Sequence, residues 1–264
     1  MSDQEPLLVE HRDDGVTVLS LALPDRRNTM TAELTTAWAA TIERLRRDRS
    51  IRCVVVTGQG SAFCAGGDVS WIGSEPDATV DTLRDRMLPF YRTWLSVRTL
   101  DVPTIAALNG PAVGAGLCLA MACDLRYAAE GAKLSAPFTA LGMHPGMAAT
   151  YLLPELVGLP AAREILFTGR VLSGAEAVAT GLVNRVFPAD TLMDEVLEIA
   201  ATVAAQAPVA LRLTKVALAG GGPTTFDAAL EWEALAQPVT LATADLQEGL
   251  RARAERRPAR FTGA

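Results

Sequence analysis

Two glycine-containing segments, each directly after an apolar run, decide how this chain can fold. The first is Gly58–Asp68, GQGSAFCAGGD, which follows the run Cys53–Thr57, CVVVT. The second is Asn109–Leu117, NGPAVGAGL, which follows Pro103–Leu108, PTIAAL. Short continuous apolar runs of this kind predict strands that are buried on both faces. The small residues after each strand would let backbone N–H groups approach a ligand closely, although a tight turn alone would also explain either loop.

The rest of the chain alternates strand and helix patterns around these two loops. Strands are predicted over residues 7–11, 15–23, 53–57, 103–108, 124–129, 133–135 and 184–187, and helices over residues 31–48, 77–98, 114–122 and 147–169. Thr31 is expected to cap the first helix, and Pro89 to kink or divide the second. Gly158-Leu159-Pro160 should divide the fourth into two. The alternation of strands and helices predicts the α/β class.

Beyond residue 200 the sequence turns almost entirely helical. Gly220-Gly221-Gly222-Pro223 is expected to form a hinge before a last long helix. We therefore divide the chain into a core, residues 1–200, and a C-terminal helical region, residues 201–264. Such a helical region either packs back on its own core or builds an oligomer.

Charge and cysteine usage exclude several classes of protein. The formal net charge of −6 over 264 residues argues against a protein that coats nucleic acid or anionic membranes. The four cysteines form no CxxC pair, and the chain has only two histidines, so we expect no metal site. The negative charge does not exclude a phosphorylated small ligand, because a few well-placed arginines are enough to hold one.

No segment predicts targeting to a membrane. The most apolar stretch, residues 105–123, is interrupted by Asn109 and several glycines, whereas a bilayer span needs about 20 continuous apolar residues. Residues 1–14 contain no basic segment followed by an apolar one, so no secretory signal is predicted. We expect a soluble, cytoplasmic protein with no membrane partner.

Neither glycine loop matches a common nucleotide-binding motif. Phe63 and Leu119 stand where GxGxxG requires its third glycine, and no Gly-Lys-Ser/Thr of a phosphate-binding loop occurs anywhere. No G-x-S-x-G nucleophile motif is present either. These absences argue against a nicotinamide enzyme, a nucleoside-triphosphate enzyme and a serine hydrolase of the α/β type.

Six motifs, in order and spread over nearly the whole chain, resemble the signatures of the enoyl-CoA hydratase/isomerase (crotonase) superfamily. They are Pro24-x-x-x-Asn28, Ala62–Asp68, Asn109–Gly116, Leu119–Asp124, Thr168–Arg170 and Ala179–Asn184. The resemblance implies a crotonase-like spiral of ββα units with a helical tail that builds homotrimers, often paired into hexamers. It also implies an acyl-CoA thioester as the small-molecule substrate, with no separate cofactor.

The same resemblance implies an oxyanion hole made of two backbone N–H groups. They belong to Gly67, just before the aspartate of the first glycine motif, and to Ala115, the middle residue of Gly-x-Gly in the second. A thioester that becomes an enolate develops negative charge on its carbonyl oxygen. Two preorganised donors aimed at that oxygen would each lower the barrier by about 3–4 kcal/mol.

Residues that wrap the CoA nucleotide are also implied by the resemblance. They are Arg26, Arg27, Ala62, Ala65, Asp68, Val69 and Arg256. Arg27 and Arg256 are candidate phosphate partners, although each could equally be a solvated surface arginine. Asp68 could act as a base, but at this place in the family pattern an aspartate usually caps the next helix or shapes the loop.

The two glutamates that family hydratases use are not found where the resemblance would place them. The two positions are occupied by Cys118 and Phe138. Hydration of an enoyl-CoA needs one group to activate water and another to deliver a proton. The departure therefore favours isomerisation, or another reaction through an enolate, over hydration.

Few side chains remain as candidates for proton transfer. His144 lies in a loop where related enzymes place an acidic catalytic group, and an imidazole suits acid–base work near neutrality; alternatively it bonds only to backbone. Cys118 could act as a nucleophile, but its apolar neighbours favour a packing role. Trp71 and Phe138 are expected to line the acyl pocket or pack the core.

We therefore expect an enzyme of the enoyl-CoA hydratase/isomerase class, a lyase or isomerase, that acts on an acyl-CoA in lipid or related catabolism. The alternative is a family member that binds acyl-CoA without turning it over. Retained glycine loops without the two glutamates are what that alternative predicts.

Overall fold

The computed structural model describes residues 5–219 and 223–264, and only the backbone of Val69. Its strands are β1 Leu7–His11, β2 Val16–Leu21, β3 Cys53–Gly58, β4 Thr104–Leu108, β5 Ala112–Val113, β6 Leu125–Ala129, β7 Lys133–Ser135, β8 Val171–Ser173 and β9 Arg185–Phe187. Its helices are α1 Ala32–Arg47, α2 Val69–Ile72, α3 Val80–Trp94, α4 Ala115–Ala122, α5 Ala149–Thr168, α6 Gly174–Ala179, α7 Leu192–Ala204, α8 Pro208–Leu218, α9 Phe226–Leu241 and α10 Ala244–Glu255. The predicted α/β class is confirmed.

A six-stranded sheet forms the centre, in the order β1-β2-β3-β4-β6-β9. β1 and β2 are antiparallel, and every other neighbouring pair is parallel. β3 is buried along its whole length, as its β-branched run predicts. Because β3 and β4 are parallel neighbours, the glycine loops that follow them leave the same edge of the sheet. A smaller three-stranded sheet, β5-β7-β8, takes its first strand from within the second loop.

The two faces of the six-stranded sheet carry two separate apolar cores. On one face, strand residues such as Val55 and Ile105 pack against α7 through Leu192, Val196 and Ala200. The other face carries the larger core, to which α1, α3, α4 and α5 contribute.

Two tryptophans stack within the larger core. The ring centroids of Trp38 and Trp94 lie 5.2 Å apart, and both side chains are fully buried. Their indole N–H groups donate to the Thr93 carbonyl and to the Thr35 hydroxyl, respectively. This stack joins α1 to the end of α3.

Several predicted details are confirmed. Thr31 caps α1, its hydroxyl accepting the Leu34 N–H at 3.2 Å. α5 is two helices that meet at Gly158, whose φ of 73° and ψ of 161° are not helical. One boundary differs from the prediction, because the second strand ends at Leu21 and not at residue 23.

The helix predicted over residues 77–98 is shorter than expected and is not divided. Thr79 caps it, α3 runs unbroken through Pro89, and it ends at Trp94 before a 3-10 turn over Leu95–Thr99. A proline has no N–H, so the carbonyl four residues earlier lacks its intrahelical hydrogen bond. Here that carbonyl belongs to Asp85, an exposed residue that water can reach. Of the two effects predicted for Pro89, a kink or a division, the division is wrong, since one helix continues through it.

The C-terminal region is helical, as predicted. Within residues 5–219 and 223–264, no single helix is both long and apolar enough to cross a bilayer; only α7 and α8 taken together meet the criterion, and they meet at a bend of 106°. Gly220–Gly222 of the predicted hinge lie outside the described residues. The boundary drawn at residue 200 falls inside α7, which packs on the sheet.

Candidate active site

The two glycine loops are hydrogen-bonded to each other. The Phe63 and Cys64 N–H groups both donate to the Pro111 carbonyl, at 3.1 and 3.2 Å. In return the Val113 N–H donates to the Cys64 carbonyl at 3.0 Å. The loops therefore behave as one unit whose parts are held in register by backbone contacts.

Glycine is required where the loops touch. A Cβ on Gly110 or Gly116 would lie 2.2 Å from the carbonyl oxygen of Ser61 or Cys64, respectively. Gly66 has a φ of 99°, and its Cβ would lie 2.6 Å from the Val113 oxygen. These glycines serve the approach of one loop to the other, rather than the approach of a ligand that the sequence suggested.

The side chain of Asn28 anchors the first glycine loop through hydrogen bonds. It is fully buried with a left-handed φ of 55°. Its side-chain oxygen accepts the Leu23 N–H at 2.9 Å, and its amide nitrogen donates to the carbonyls of Gln59 and Ala62, at 2.9 and 2.8 Å. The asparagine of the Pro24-x-x-x-Asn28 motif is thus a structural clamp, with all its side-chain hydrogen bonds directed at backbone.

A cavity of about 120 Å³ opens beside the joined loops. Gly67 and Ala115 both line it, together with the side chains of α3 and of the loop that precedes α5. The lining residues are Ala65, Gly66, Gly67, Trp71, Ile72, Met87, Phe90, Tyr91, Val113, Gly114, Ala115, Pro137, Phe138, Leu141, Met143, His144, Gly146 and Met147. The wall is mostly apolar, as an acyl pocket requires.

The N–H groups of Gly67 and Ala115 have no hydrogen-bond acceptor among residues 5–219 and 223–264. Ala115 is the first residue of α4, so its N–H has no partner within the helix. The position a Cβ would take on Gly66 lies 3.4 Å from the Ala115 nitrogen, which brings the two loops into contact at this point. Two free main-chain donors therefore border the same cavity.

Cys118 and Phe138, the residues at the two expected glutamate positions, are both buried. The Cys118 thiol contacts the Gly146 carbonyl at 3.6 Å, and burial raises its pKa to about 12. A thiol with that pKa stays protonated at neutral pH and is a poor nucleophile. Phe138 lies on the cavity wall, close to Gly114. The contacts of both side chains fit packing and pocket lining.

His144 lies at the mouth of the cavity rather than inside it. Its side chain is exposed, and its Nδ1 lies 2.8 Å from the carbonyl oxygen of Pro145. A carbonyl can only accept, so Nδ1 carries the hydrogen in this contact, and in the neutral imidazole Nε2 then has the lone pair. The contact to backbone and a role as base are therefore compatible.

Asp68 is held by three donors. One carboxylate oxygen accepts the N–H and hydroxyl of Ser70, at 3.0 and 2.5 Å, and the other accepts Arg26 at 3.1 Å. The Ser70 hydroxyl is the main cause of the lowered pKa of Asp68. This geometry caps α2 and corresponds to the structural role that the sequence analysis allowed for Asp68.

The other residues expected at the CoA nucleotide are divided between two places. Arg26 and Arg27 are exposed, and the Arg27 carbonyl accepts the Ala65 N–H at 2.9 Å, which places both arginines beside the first loop. Ala62 is buried in that loop, and the side chain of Val69 lies outside the described part. Arg256 is exposed at the end of α10 and is not among the residues that line the cavity.

The cavity residues that the sequence analysis did not name include Phe90 and Tyr91, both on α3. Phe90 packs against Trp71, with ring centroids 5.1 Å apart, so the predicted pocket residue Trp71 is held from α3. The half-buried Tyr91 presents its hydroxyl toward Gly146, whose Cβ would lie 2.5 Å from it. Nothing in the local pattern of α3 marks these two residues, apart from an aromatic pair on a helix with few buried residues.

A larger cleft, of about 390 Å³, lies elsewhere, between α8 and the start of β4. Two of its charged residues are paired with each other: Lys215 contacts Asp124 at 2.8 Å and donates to the Val102 carbonyl, and Asp124 accepts the backbone N–H and hydroxyl of Thr104. These contacts hold α8 to the core. Among the described residues, no three His, Cys, Asp or Glu side chains are grouped so that they could hold a metal ion.

Comparison with known proteins identifies the family. A family model described as enoyl-CoA hydratase/isomerase matches residues 11–264. YngF of Bacillus subtilis, provisionally named an enoyl-CoA hydratase/isomerase, is 36% identical over 260 residues, 98% of this chain and 99% of the relative. A probable enoyl-CoA hydratase of Mycobacterium tuberculosis is 38% identical over 242 residues, 91% of each chain.

A solved structure agrees with this assignment. The crystal structure of an enoyl-CoA hydratase from Bacillus anthracis superposes with a TM-score of 0.91, at 33% identity, and covers 98% of this chain and 100% of that one. The chain therefore belongs to the enoyl-CoA hydratase/isomerase family and has the crotonase-like α/β fold that its motifs predicted.

Proposed function

We propose that this protein binds an acyl-CoA thioester and converts it through an enolate whose oxygen is held by the N–H groups of Gly67 and Ala115. One observation carries the proposal: among the described residues, the N–H groups of Gly67 and Ala115, one from each of two hydrogen-bonded loops, have no acceptor and border the same apolar cavity. Such donors act on charge that develops in the transition state, and each contributes about 3–4 kcal/mol.

The favoured reaction is isomerisation of an enoyl-CoA. The described residues that line the cavity include no Asp or Glu, so they offer no carboxylate for a hydration that needs two. A shift of the double bond needs only removal of one proton and return of another. His144, with Nε2 free to accept, is the proposed base.

The CoA part of the substrate would lie outside the cavity, along the first loop. Arg26 and Arg27 are exposed there and could contact its phosphates, and Ala62 and Ala65 provide the backbone against which it would lie. Arg256 would join this site only if another part of an assembly brought it there. We place the protein in the cytoplasm, with acyl-CoA as its partner and no separate cofactor.

We also propose that the C-terminal helices build a homotrimer, which a second trimer can join to form a hexamer. Large apolar side chains on α9, such as Phe226 and Leu235, are 78% and 71% exposed. A helix that leaves such residues in water is typical of an interface between subunits.

The second candidate function is binding of acyl-CoA without turnover. It is favoured by the same carboxylate-free wall and by the exposure of His144. Assays with crotonyl-CoA and with longer 2- and 3-enoyl-CoAs separate the candidates. Binding of acyl-CoA at micromolar concentration with no turnover of any of them would replace the enzyme by the binding protein.

The oxyanion hole is tested by Ala115→Pro. Proline is tolerated at the first position of a helix, and the N–H that it removes has no partner among the described residues, so the fold should survive. Turnover should fall about 100- to 1,000-fold. Ala115→Gly keeps the N–H and is the matched control, with activity near that of the unchanged protein.

Two outcomes would count against this mechanism. If Ala115→Pro keeps its activity and its thermal unfolding temperature, the Ala115 N–H is not part of the site. His144→Ala should lower turnover at least tenfold, and a smaller effect removes His144 from the mechanism.

A further inference from the structure

Among the described residues that line the cavity, two carry side chains suited to proton transfer. They are His144, at the mouth, and Tyr91, on α3. The remaining wall is formed by glycine, alanine, proline and apolar or aromatic side chains. A reaction that moves a proton between two carbons needs both a proton acceptor and a proton donor. With His144 as the acceptor, Tyr91 is the candidate donor.

Tyr91 is held at a fixed place in the wall. α3 carries it, and its ring packs edge-on against Phe90, with centroids 6.2 Å apart. Its hydroxyl lies so close to Gly146 that a Cβ there would be only 2.5 Å away. The hydroxyl has no hydrogen-bond partner among residues 5–219 and 223–264. A half-buried phenol without a partner, facing a cavity, has a donor available for a ligand.

The surroundings keep this phenol protonated. Burial raises the pKa of Tyr91 above its usual value, and the neighbouring Cys118 acts in the same direction. The hydroxyl therefore carries its proton at neutral pH and can give it up but not accept one. His144 has the opposite character, because its Nε2 lone pair is free.

We propose that Tyr91 is the proton donor of the isomerisation. This inference rests on the proposed function. His144 Nε2 takes a proton from the α-carbon of a 3-enoyl-CoA, and the electrons of that C–H bond move to the thioester oxygen, held by Gly67 and Ala115. The electrons of the dienolate then form a C–H bond at the γ-carbon with the proton of the Tyr91 hydroxyl.

The cycle closes without any further reagent. The imidazolium of His144 is exposed and loses its proton to water, and the phenolate of Tyr91 regains one from water. The net change moves one proton from the α- to the γ-carbon, so the 3-enoyl-CoA becomes a 2-enoyl-CoA, with no oxidation or reduction.

The test is Tyr91→Phe, assayed with a six-carbon 3-enoyl-CoA in deuterium oxide. Phenylalanine removes only a hydroxyl that has no partner, so the thermal unfolding temperature should not change. We expect formation of the 2-enoyl-CoA to fall at least about 100-fold. Deuterium should still enter the α-carbon of recovered 3-enoyl-CoA at a rate within about threefold of the unchanged protein, because His144 and the oxyanion hole remain. A merely structural role for Tyr91 would not separate these two rates.

Two further variants serve as controls for Tyr91→Phe. His144→Ala should lose both deuterium entry and product formation. Tyr127→Phe, which alters a buried tyrosine that packs against Phe187 on the other face of the sheet, is the matched control and should keep both rates.

The possible failures are distinguishable. If Tyr91→Phe forms product within threefold of the unchanged protein, or loses deuterium entry as well, Tyr91 is not the donor to the enolate. If the unchanged protein neither exchanges the α-proton nor forms product, the proposed function itself is wrong, and the donor role falls with it.

Discussion

The α/β core and the C-terminal helices use apolar residues in opposite ways. In the core, residues such as Val55, Ile105 and Trp38 are fully buried, and the apolar faces of the sheet are covered on both sides. α9 has no buried residue at all and leaves Phe226 and Leu235 largely in water. The core is a complete fold within one chain. Within this chain, the apolar side chains of α9 stay uncovered.

The difference separates the parts of the protein that carry its two proposed activities. The cavity lies in the α/β core, together with the two glycine loops and α3. The apolar side chains of this core are covered by other residues of the same chain. The exposed apolar side of α9 belongs to the region proposed to associate. A substitution should therefore be able to change turnover without changing self-association, and the reverse.

The largest expected effect comes from a charge on α9. Leu235→Arg places a guanidinium in the proposed interface, and burying an unpaired charge there should weaken self-association at least about 100-fold. Light scattering should then give a mass near the 27.9 kDa of one chain, with the circular dichroism of the core retained.

A control and a contrary result define this prediction. Thr202→Arg changes an exposed residue of α7, the helix that packs on the six-stranded sheet, and should leave the mass unchanged. If the unchanged protein is already a monomer at micromolar concentration, the proposed interface does not exist.

A smaller effect is expected from the contact between the glycine loops. In Gly116→Ala the added methyl would lie 2.2 Å from the Cys64 carbonyl oxygen, so one loop must move. We expect a loss of about 1–3 kcal/mol in the free energy of unfolding, measured in guanidinium, together with lower turnover. The mass of the assembly should not change, because this site belongs to the core.

Gly131→Ala is the matched control for that substitution. A Cβ on Gly131 would meet nothing within 4 Å, so the change in unfolding free energy should stay within about 0.5 kcal/mol. Equal losses at both positions would show that the loops do not depend on the close approach at Gly116.

The smallest effect concerns the end of the chain. Glu248 accepts hydrogen bonds from the Arg257 guanidinium and from the Arg260 N–H, and Arg257 is the main cause that lowers its pKa to about 2. A carboxyl whose pKa is lowered in the folded state stabilises that state above its ordinary pKa, and the contribution is lost as the pH falls from about 4.5 toward 2. Amide hydrogen exchange of residues 256–264 should therefore quicken relative to the core between pH 5 and 3.

Glu248→Gln sharpens this last test. The variant should show exchange roughly two- to fivefold faster at its C-terminal amides already at pH 7, with the core unaffected. Its exchange should then show no added pH dependence in the range where the unchanged protein does. An unchanged rate at pH 7 would mean that the other contacts of the C-terminal segment hold it without Glu248.

Much of the fold could be predicted because its signals are local. The run Cys53–Val56 favours a buried strand wherever it lies, and Thr31 caps a helix through a bond three residues away. The strand β5 and the helix α6 were not predicted, because a strand of two residues exists only through its pairing with β7 and a helix of six has little periodicity.

The candidate site was predicted in part for the same reason. Gly67 and Ala115 were found through motifs, and the structure places both at one cavity. Tyr91 was missed, because it reaches the cavity from a helix that lies between the two loops in the chain and carries no motif of its own. Only the packing of α3 over the loops brings it there.

By itself, the sequence determined the class of fold, the two loops after β3 and β4, and the family. Those properties follow from residue types and spacings that act over a few positions. The tertiary structure alone decided which loop glycines contact backbone, which hydroxyl faces the cavity, and which helix is left uncovered. These depend on contacts between residues far apart in the chain, and local patterns do not encode the distance between such residues.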